Sequence, residues 1–168
     1  LLDVVTGYDP RDWWAGPAPA ARFVDGLDGG VAGLRVGFSP DLGYVRNDPE
    51  VDAAVRAAVA VLADAGAVVD EVDPGFTDPV QAFHVLWFAG EAKVLQAYGE
   101  LDALDGRADP GLLRTARLGA TYTASDYLDA TAERMRLGQL MGRFHQGYDV
   151  LVTPTLPLPA FGTGQDVP

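Results

Sequence analysis

Two strands and the helix between them, within residues 34–73, constrain the fold more than any other feature of the chain. LRVGF (34–38) has the composition of a short buried strand, and AVVDEVD (67–73) has that of a second. Apolar side chains recur between them at helical spacing, at Val51, Val55, Ala58, Val59 and Leu62. A strand, a helix and a strand in this order form a βαβ unit, whose strands are parallel and whose crossover is right-handed.

The helix of this unit carries clear start and stop signals. Asp48 is a suitable N-cap, because its carboxylate can accept a hydrogen bond from a free amide of the first turn. Pro49 suits the first helical position, where no amide hydrogen is needed. Gly66 stands where the helix is expected to end.

The loop between the first strand and this helix, SPDLGYVRN (39–47), is long for such a unit. It leaves the carboxyl end of a strand, which is where open α/β sheets bind ligands. Ser39 and Asp41 are therefore candidates for ligand contact. The alternative, equally supported by the residues, is that Pro40 and Asp41 only shape a turn.

A long apolar helix follows the βαβ unit. Asp78 with Pro79 predicts a helix start, and the segment 78–100 presents a wide apolar surface made of Val80, Phe83, Val85, Leu86, Trp87, Val94 and Leu95. Residues 101–121 have a weaker pattern, which predicts a loop and a short helix from Pro110.

The carboxyl-terminal part combines a helix, a strand and a stiff segment. Residues 125–148 predict a long helix with Ser125 as its N-cap, and DVLVTP (149–154) predicts a third, nearly apolar strand. TPTLPLP (153–159) follows at once, and its prolines can neither continue a sheet nor extend a helix. Something else in the protein must therefore hold this segment in place.

The amino-terminal residues form a connector. LLDVVTGYDP resembles the last turns of a helix that has no start, which predicts truncation, and the chain has no initiator Met. We expect residues 1–33 to be a helix end plus connector, and 34–168 to be a single α/β domain. The pair Trp13–Trp14 is interpreted as pinning the loop to the surface, the alternative being a ligand platform.

Composition excludes several classes of protein. The net charge of −12 argues against nucleic acid and anionic membranes as partners, since both attract clustered Lys and Arg. The absence of cysteine excludes disulfides, thiolate metal sites and a cysteine nucleophile. No apolar run approaches the roughly 20 residues of a membrane helix, and no export signal is visible, so the cytoplasm is the default expectation.

Residues suited to catalysis are scarce. The chain has two serines, Ser39 and Ser125, and neither lies in a nucleophile-elbow sequence. Carboxylates are plentiful but scattered, so spacing alone does not select an acid and base pair. Taken by itself, the chain resembles part of an enzyme without its reactive residues.

Four motifs in order explain this pattern. The chain contains DPRD, then VGFSPDLG followed by DPEV, then LWFAGEA, then YDVLVTPTLP. Together these segments resemble the amidase signature family over most of the chain, most weakly over 101–121. Members of that family hydrolyse carboxamides with a Ser nucleophile, a second Ser held by a cis peptide, and a Lys base. No Gly/Ser-rich segment matches here, and Lys93 lies in the wrong helix, so no catalytic residue is carried over.

The resemblance implies a fold and a role. We expect an α/β fold that is a partial amidase-signature-like α/β/α layer, with a mixed, partly parallel sheet and long flanking helices. The chain would be a C-terminal portion that supplies pocket wall and sheet, with no cofactor and no metal, and with a small-molecule amide as the substrate of the full-length enzyme. A homodimer is left open.

The same resemblance predicts which residues lie at the pocket. Two groups are expected to contact substrate: Phe83, Trp87 and Phe88 on the apolar helix, and Thr153, Pro154 and Thr155 after the third strand. An equally weighted alternative is that all six are core residues.

Two functional alternatives remain at this stage. One is a stand-alone α/β module that binds a small molecule through the 39–47 loop, and the other is a non-catalytic family relative. A module needs a self-contained core, so its strands 34–38, 67–73 and 150–153 would be covered on both faces by this chain. A fragment instead exposes apolar faces.

Overall fold

The computed structural model describes residues 1–12, 14–75 and 77–165. Its helices are α1 (Leu2–Val5), α2 (Pro49–Asp64), α3 (Val80–Leu95), α4 (Pro110–Gly119) and α5 (Ala124–Gly147). Its strands are β1 (Arg35–Phe38), β2 (Val68–Glu71) and β3 (Val150–Val152), and short 3-10 turns span Phe23–Gly29, Gln96–Tyr98 and Leu101–Leu104.

The three described strands form one sheet in the order β2–β1–β3, and both pairings are parallel. Val36 in the central strand pairs with Val69 on one side and Val150 on the other. The predicted βαβ unit is thus confirmed, and the third strand joins the opposite edge of β1. All three carboxyl ends meet at one edge of the sheet, which is the edge that binds ligands in such folds.

Helix α2 begins and ends where its signals predicted. The Asp48 carboxylate accepts a hydrogen bond from the Glu50 amide at 2.8 Å, and Pro49 is the first helical residue. After the helix, Gly66 adopts φ +97°, a conformation that L side chains rarely adopt. Arg56 then ties the helix to β2, since its guanidinium donates to Glu71 at 2.8 Å.

The N-cap of helix α5 lies two residues earlier than the pattern suggested, so Ser125 as its N-cap is wrong. Thr123 is the cap: its hydroxyl accepts from the Asp126 amide, and the Asp126 carboxylate accepts from the Thr123 amide at 2.7 Å. This reciprocal pair satisfies two amides at once, whereas Ser125 lies within the first turn. The predicted loop and short helix over 101–121 are confirmed by the 3-10 turn and by α4.

A salt bridge joins the third strand to the first. The Asp149 carboxylate accepts from both the Arg35 amide at 2.9 Å and its guanidinium at 2.7 Å. These hydrogen bonds lower the pKa of Asp149 to about 2. The contact holds the end of α5 and the start of β3 beside β1 across more than a hundred residues of chain.

The hydrophobic core is thin for a chain of this size. The buried apolar residues among those described are Val36, Phe38, Val59, Ala67, Ala92, Leu104, Leu113, Ala116 and Ala130. The accessible surface is 12005 Å², whereas a compact monomer of 17.8 kDa exposes about 8,000 Å². Strand β2 is largely exposed, so the sheet is not covered on both faces by this chain.

Residues 1–30 add to this surface. Leu1 and Val4 are 94% and 81% exposed, and Trp14 is 75% exposed. Trp13, the other member of the predicted aromatic pair, lies outside the described residues.

Candidate functional site

Two segments far apart in the chain meet at the carboxyl edge of the sheet. The Ser39 amide donates to the Val152 carbonyl at 2.9 Å, and the Asp48 amide donates to the Pro157 carbonyl at 2.7 Å. The first hydrogen bond lies at the sheet edge where both segments begin, and the second joins the residue after the 39–47 loop to the proline-rich segment. They supply the contacts that the stiff segment requires.

A concavity of about 230 Å³ lies between these two segments, and we call it the edge pocket. Its lining consists of Pro40, Asp41, Leu42, Tyr44, Val45 and Asn47 from the loop, and Thr153, Pro154, Thr155 and Pro157 from the proline-rich segment. Its position at the carboxyl ends of β1 and β3 is the position that the parallel sheet predicts for a ligand.

The loop side of the edge pocket is shaped by turn-forming side chains. Ser39 is 1% exposed, and its hydroxyl accepts from the Leu42 amide at 3.1 Å. The Asp41 carboxylate accepts from the Gly43 amide at 2.9 Å. Of the two predicted roles, Ser39 therefore serves the turn, while Asp41 shapes the turn and also lines the pocket.

The turn places two consecutive residues in the left-handed region. Gly43 adopts φ +81°, and a Cβ there would lie 2.9 Å from the Asp73 carboxylate. Leu42 adopts φ +54° although it has a side chain, which costs about 1–2 kcal/mol. Backbone strain of this kind is concentrated at functional sites in folded proteins.

Asn47 spans the loop from its far end. Its Nδ2 donates to the Pro40 carbonyl at 2.5 Å, which closes the loop over seven residues. Its Oδ1 is buried and has no hydrogen-bond partner within the described part of the chain. An unsatisfied buried acceptor costs about 1–3 kcal/mol, so a donor brought by a ligand or by neighbouring polypeptide would be stabilising here.

The electrostatic environment of the edge pocket is acidic. Partial burial raises the pKa of the Tyr44 phenol, and the nearby Asp78 carboxylate raises it further. Tyr44 thus keeps its proton at neutral pH and remains a hydrogen-bond donor.

The aromatic residues predicted on α3 lie elsewhere. Phe83 and Trp87 stack with ring centroids 5.4 Å apart and are 52% and 57% exposed, so neither is a core residue. Phe88 stacks instead on His84 at 4.8 Å. Trp87 lines an apolar groove between α3 and α4, whose lining is Leu86, Trp87, Gly90, Glu91, Val94, Leu95 and Leu112.

The six predicted substrate-binding residues therefore do not form one site. Thr153, Pro154 and Thr155 line the edge pocket together. Trp87 lines the α3–α4 groove, while Phe83 and Phe88 belong to the lining of neither concavity. Whether any of the six contacts a substrate stays a prediction.

Sequence reasoning missed five residues of the edge pocket: Leu42, Tyr44, Val45, Asn47 and Pro157. For the first four, the available signal was their position in the long loop after β1. The stretch was recognised as a ligand-facing loop, but its individual side chains carry no periodicity that would show which of them face inward.

The described residues contain no group of three or more His, Asp or Glu side chains placed to hold a metal ion. Within the same residues, none of the helices has both the length and the apolar character needed to cross a membrane.

The fold and the pocket define a class: an α/β protein with a parallel sheet and a concavity at its carboxyl edge. Comparison with known proteins narrows this class. Residues 1–168 match the amidase family model, and the chain belongs to the amidase family.

Curated relatives agree with this assignment, and a solved structure matches the fold. The chain is 34% identical to an amidase of Pseudomonas putida over 99% of its own length and 36% of that protein. It is 32% identical to an acylamidase of Rhodococcus erythropolis, covering all of this chain and 35% of the relative. The fold matches a bacterial aryl acylamidase of the amidase signature family with a TM-score of 0.78 and 22% identity, over 90% of this chain and 32% of that one. The chain thus spans about a third of the length of the curated relatives it matches.

Proposed function

We propose that this chain forms part of the substrate-binding wall of a hydrolase that cleaves carboxamide C–N bonds, with the reactive groups supplied by residues other than 1–168. The observation that carries the proposal is the match to the amidase family along the entire chain. The edge pocket supports it by its position at the carboxyl ends of β1 and β3, where open α/β sheets bind ligands.

The residues of the chain support a binding role over a chemical one. Amide hydrolysis needs an activated nucleophile, a base and donors for the oxyanion. Ser39 is buried beneath its own turn, and Ser125 is exposed in the first turn of α5. Lys93 is exposed near the end of α3 and has no ion-pair or hydrogen-bond partner among the described residues that would mark it as a base.

The thin core disfavours a stand-alone binding module. Such a module has to bury its own sheet, yet β2 is largely exposed and the accessible surface exceeds that of a compact monomer by about 4,000 Å². That excess supports packing of this chain against further polypeptide. The cytoplasmic location and a homodimer both stay predictions.

The first experiment assays the purified 168 residues against simple aryl and aliphatic amides. We expect no turnover, because neither of the two serines is placed to act as the nucleophile. Turnover that copurifies with the chain through successive chromatographic steps would contradict the proposal.

The second experiment tests the wall itself in the protein made from the complete reading frame. Thr153→Val and Thr155→Val each remove a hydroxyl from the edge pocket while preserving side-chain shape. Loss of one substrate hydrogen bond, worth about 1 kcal/mol, lowers kcat/KM by about fivefold. Thr121→Val is the matched control, since that hydroxyl bonds only to the Leu118 carbonyl at the end of α4. Equal kcat/KM for the wild type and both pocket variants would show that the hydroxyls do not contact substrate.

A further inference from the structure

We propose that the groove between α3 and α4 binds an organic ammonium ion, that is, a molecule with an apolar body and one protonated amine. The groove encloses about 370 Å³, within the range of small-molecule sites. This site is distinct from the edge pocket, and the inference holds whether or not the parent protein hydrolyses amides.

The walls of the groove suit an apolar body. Leu86, Val94 and Leu95 come from α3, and Leu112 faces them from α4. Gly90 leaves the middle of the groove open, because a Cβ at that position would meet no atom within 4 Å. Together these residues form a surface that gains stability when an alkyl or aryl group displaces water from it.

Among the described residues that line this groove, Glu91 alone carries a charge. Its Oε1 accepts from the Trp87 indole Nε1 at 2.7 Å, and its Oε2 accepts from the Thr115 hydroxyl at 2.6 Å. These bonds fix the carboxylate in place, and each oxygen retains capacity for a further donor.

The charge of Glu91 is not neutralised by the described part of the chain. No Lys, Arg or His nitrogen of those residues lies within ion-pair distance of its carboxylate. A fixed anion in an apolar groove is most favourably paired with a cation that brings its own apolar surface, because a charge-assisted hydrogen bond is stronger than a neutral one.

Trp87 helps to fix the position of the anion. The indole lies four residues before Glu91 and on the same face of α3, and its N–H donates to the carboxylate in the plane of the ring. An ammonium group bound to Glu91 would therefore lie beside the edge of the indole, close to the N–H group. A second copy of this chain is a poor occupant, since each copy carries a net charge of −12.

The test uses 2-phenylethylammonium as the probe and 2-phenylethanol as its neutral counterpart. Binding to the ¹⁵N-labelled protein made from the complete reading frame is followed through the indole N–H resonance of Trp87, assigned by its loss in Trp87→Phe. We expect a saturable shift with the ammonium and at least about tenfold weaker binding of the alcohol, the difference that a charged hydrogen bond makes.

Two variants separate the charge from the groove. Glu91→Gln keeps the side-chain shape and should reduce ammonium binding to the level of the alcohol. Gly90→Leu should abolish binding of both probes, because its side chain occupies the groove without meeting backbone. Gly138→Leu, at an open and exposed glycine of α5, is the matched control and should bind as the wild type does. Circular dichroism verifies that each variant is folded.

Several results would overturn the inference. One is the absence of any shift of the Trp87 indole resonance at millimolar 2-phenylethylammonium, and another is equal affinity for the ammonium and the alcohol. The others are undiminished binding of the probes by Gly90→Leu and loss of binding in Gly138→Leu. Binding by a lysine-containing apolar peptide without binding by the small ammonium would show that the groove seats polypeptide instead. None of these results depends on amidase activity, so the proposed function is tested separately.

Discussion

Gly119 offers the most direct test of how α3 and α4 pack. It is the last residue of α4 and lies against the backbone of Phe88 in α3. A Cβ at position 119 would stand 1.9 Å from the Phe88 carbonyl oxygen and 2.8 Å from the Ala89 nitrogen. Since ordinary contact begins near 3.4 Å, Gly119→Ala forces the helices apart by about 1.5 Å.

The expected cost follows from what has to move. Overpacking costs about 1–3 kcal/mol, and here the obstacle is backbone, which cannot rotate aside as a side chain does. Separation of the helices also loosens Leu113 and Ala116, which are 2% and 0% exposed. We therefore expect a loss of about 3 kcal/mol in the free energy of unfolding. With a urea slope of about 1–3 kcal/mol/M, the midpoint falls by at least about 1 M.

The assay is urea unfolding of the 168-residue chain followed by circular dichroism at 222 nm. Gly138→Ala is the matched control, because a Cβ there meets no atom within 4 Å and the site lies inside α5. Alanine at that site should raise stability by about 0.5–1 kcal/mol through helix propensity alone. The same chemical change thus has opposite signs at the two positions. A midpoint for Gly119→Ala equal to or above that of the wild type would refute the α3–α4 packing.

Two further predictions concern the third strand and α5. Hydrogen bonds from Arg35 lower the pKa of Asp149 from 3.8 to about 2 in the folded protein. The ionised carboxylate therefore stabilises the fold fully at pH values above 3.8, and this contribution is lost as the pH falls through 2. The wild type should therefore exceed Asp149→Asn in stability at pH 7, and urea midpoints of the two should converge near pH 2; a gap that persists there would contradict the pairing. Thr123→Ala should lower the free energy of unfolding by about 1 kcal/mol through loss of the cap, whereas Ser125→Ala should change it little. Urea midpoints measure both variants, and a larger effect at Ser125 would reverse the assignment of the cap.

The βαβ unit could be predicted because each of its signals is local. An apolar strand, the Asp48–Pro49 start and the Gly66 stop all act within a few residues, and the parallel crossover follows from chain geometry. The error at Ser125 has the same origin. Thr123 and Ser125 are both good caps by residue type, and the choice is made by the Asp126 carboxylate, which reaches back to the Thr123 amide.

The edge pocket could be predicted only in part. The loop after β1 was predicted from its position at a strand end, and the threonines after β3 were predicted from the family resemblance. The contact between the two segments joins Asp48 to Pro157 across more than a hundred residues. The residue pattern of one segment does not indicate that the other segment lies beside it. The α3 aromatics show a second limit: the helix is apolar on all sides, so its pattern does not reveal which face is covered.

The proline-rich segment allows the contact at the edge pocket to be tested directly. Its prolines reduce the number of conformations that the segment can adopt when it detaches from the loop. Replacing one proline by alanine therefore favours the detached state by about 0.4–1 kcal/mol, which raises the equilibrium constant for opening by about 2–5-fold. The Asp48 amide reports this opening, because its hydrogen bond goes to the Pro157 carbonyl at 2.7 Å. Pro154→Ala and Pro159→Ala should each reduce hydrogen-exchange protection of the Asp48 amide by that factor.

The Ser39 amide is the internal control, since it is bonded to the Val152 carbonyl at the end of the sheet. Its protection should change little in either variant, because the sheet edge does not need the later prolines to stay closed. An equal fall at both amides would mean that the whole domain opens and that the prolines stabilise it globally. Unchanged protection at Asp48 would mean that the segment is held by its contacts with the loop alone, and its stiffness would then have no part in shaping the pocket wall.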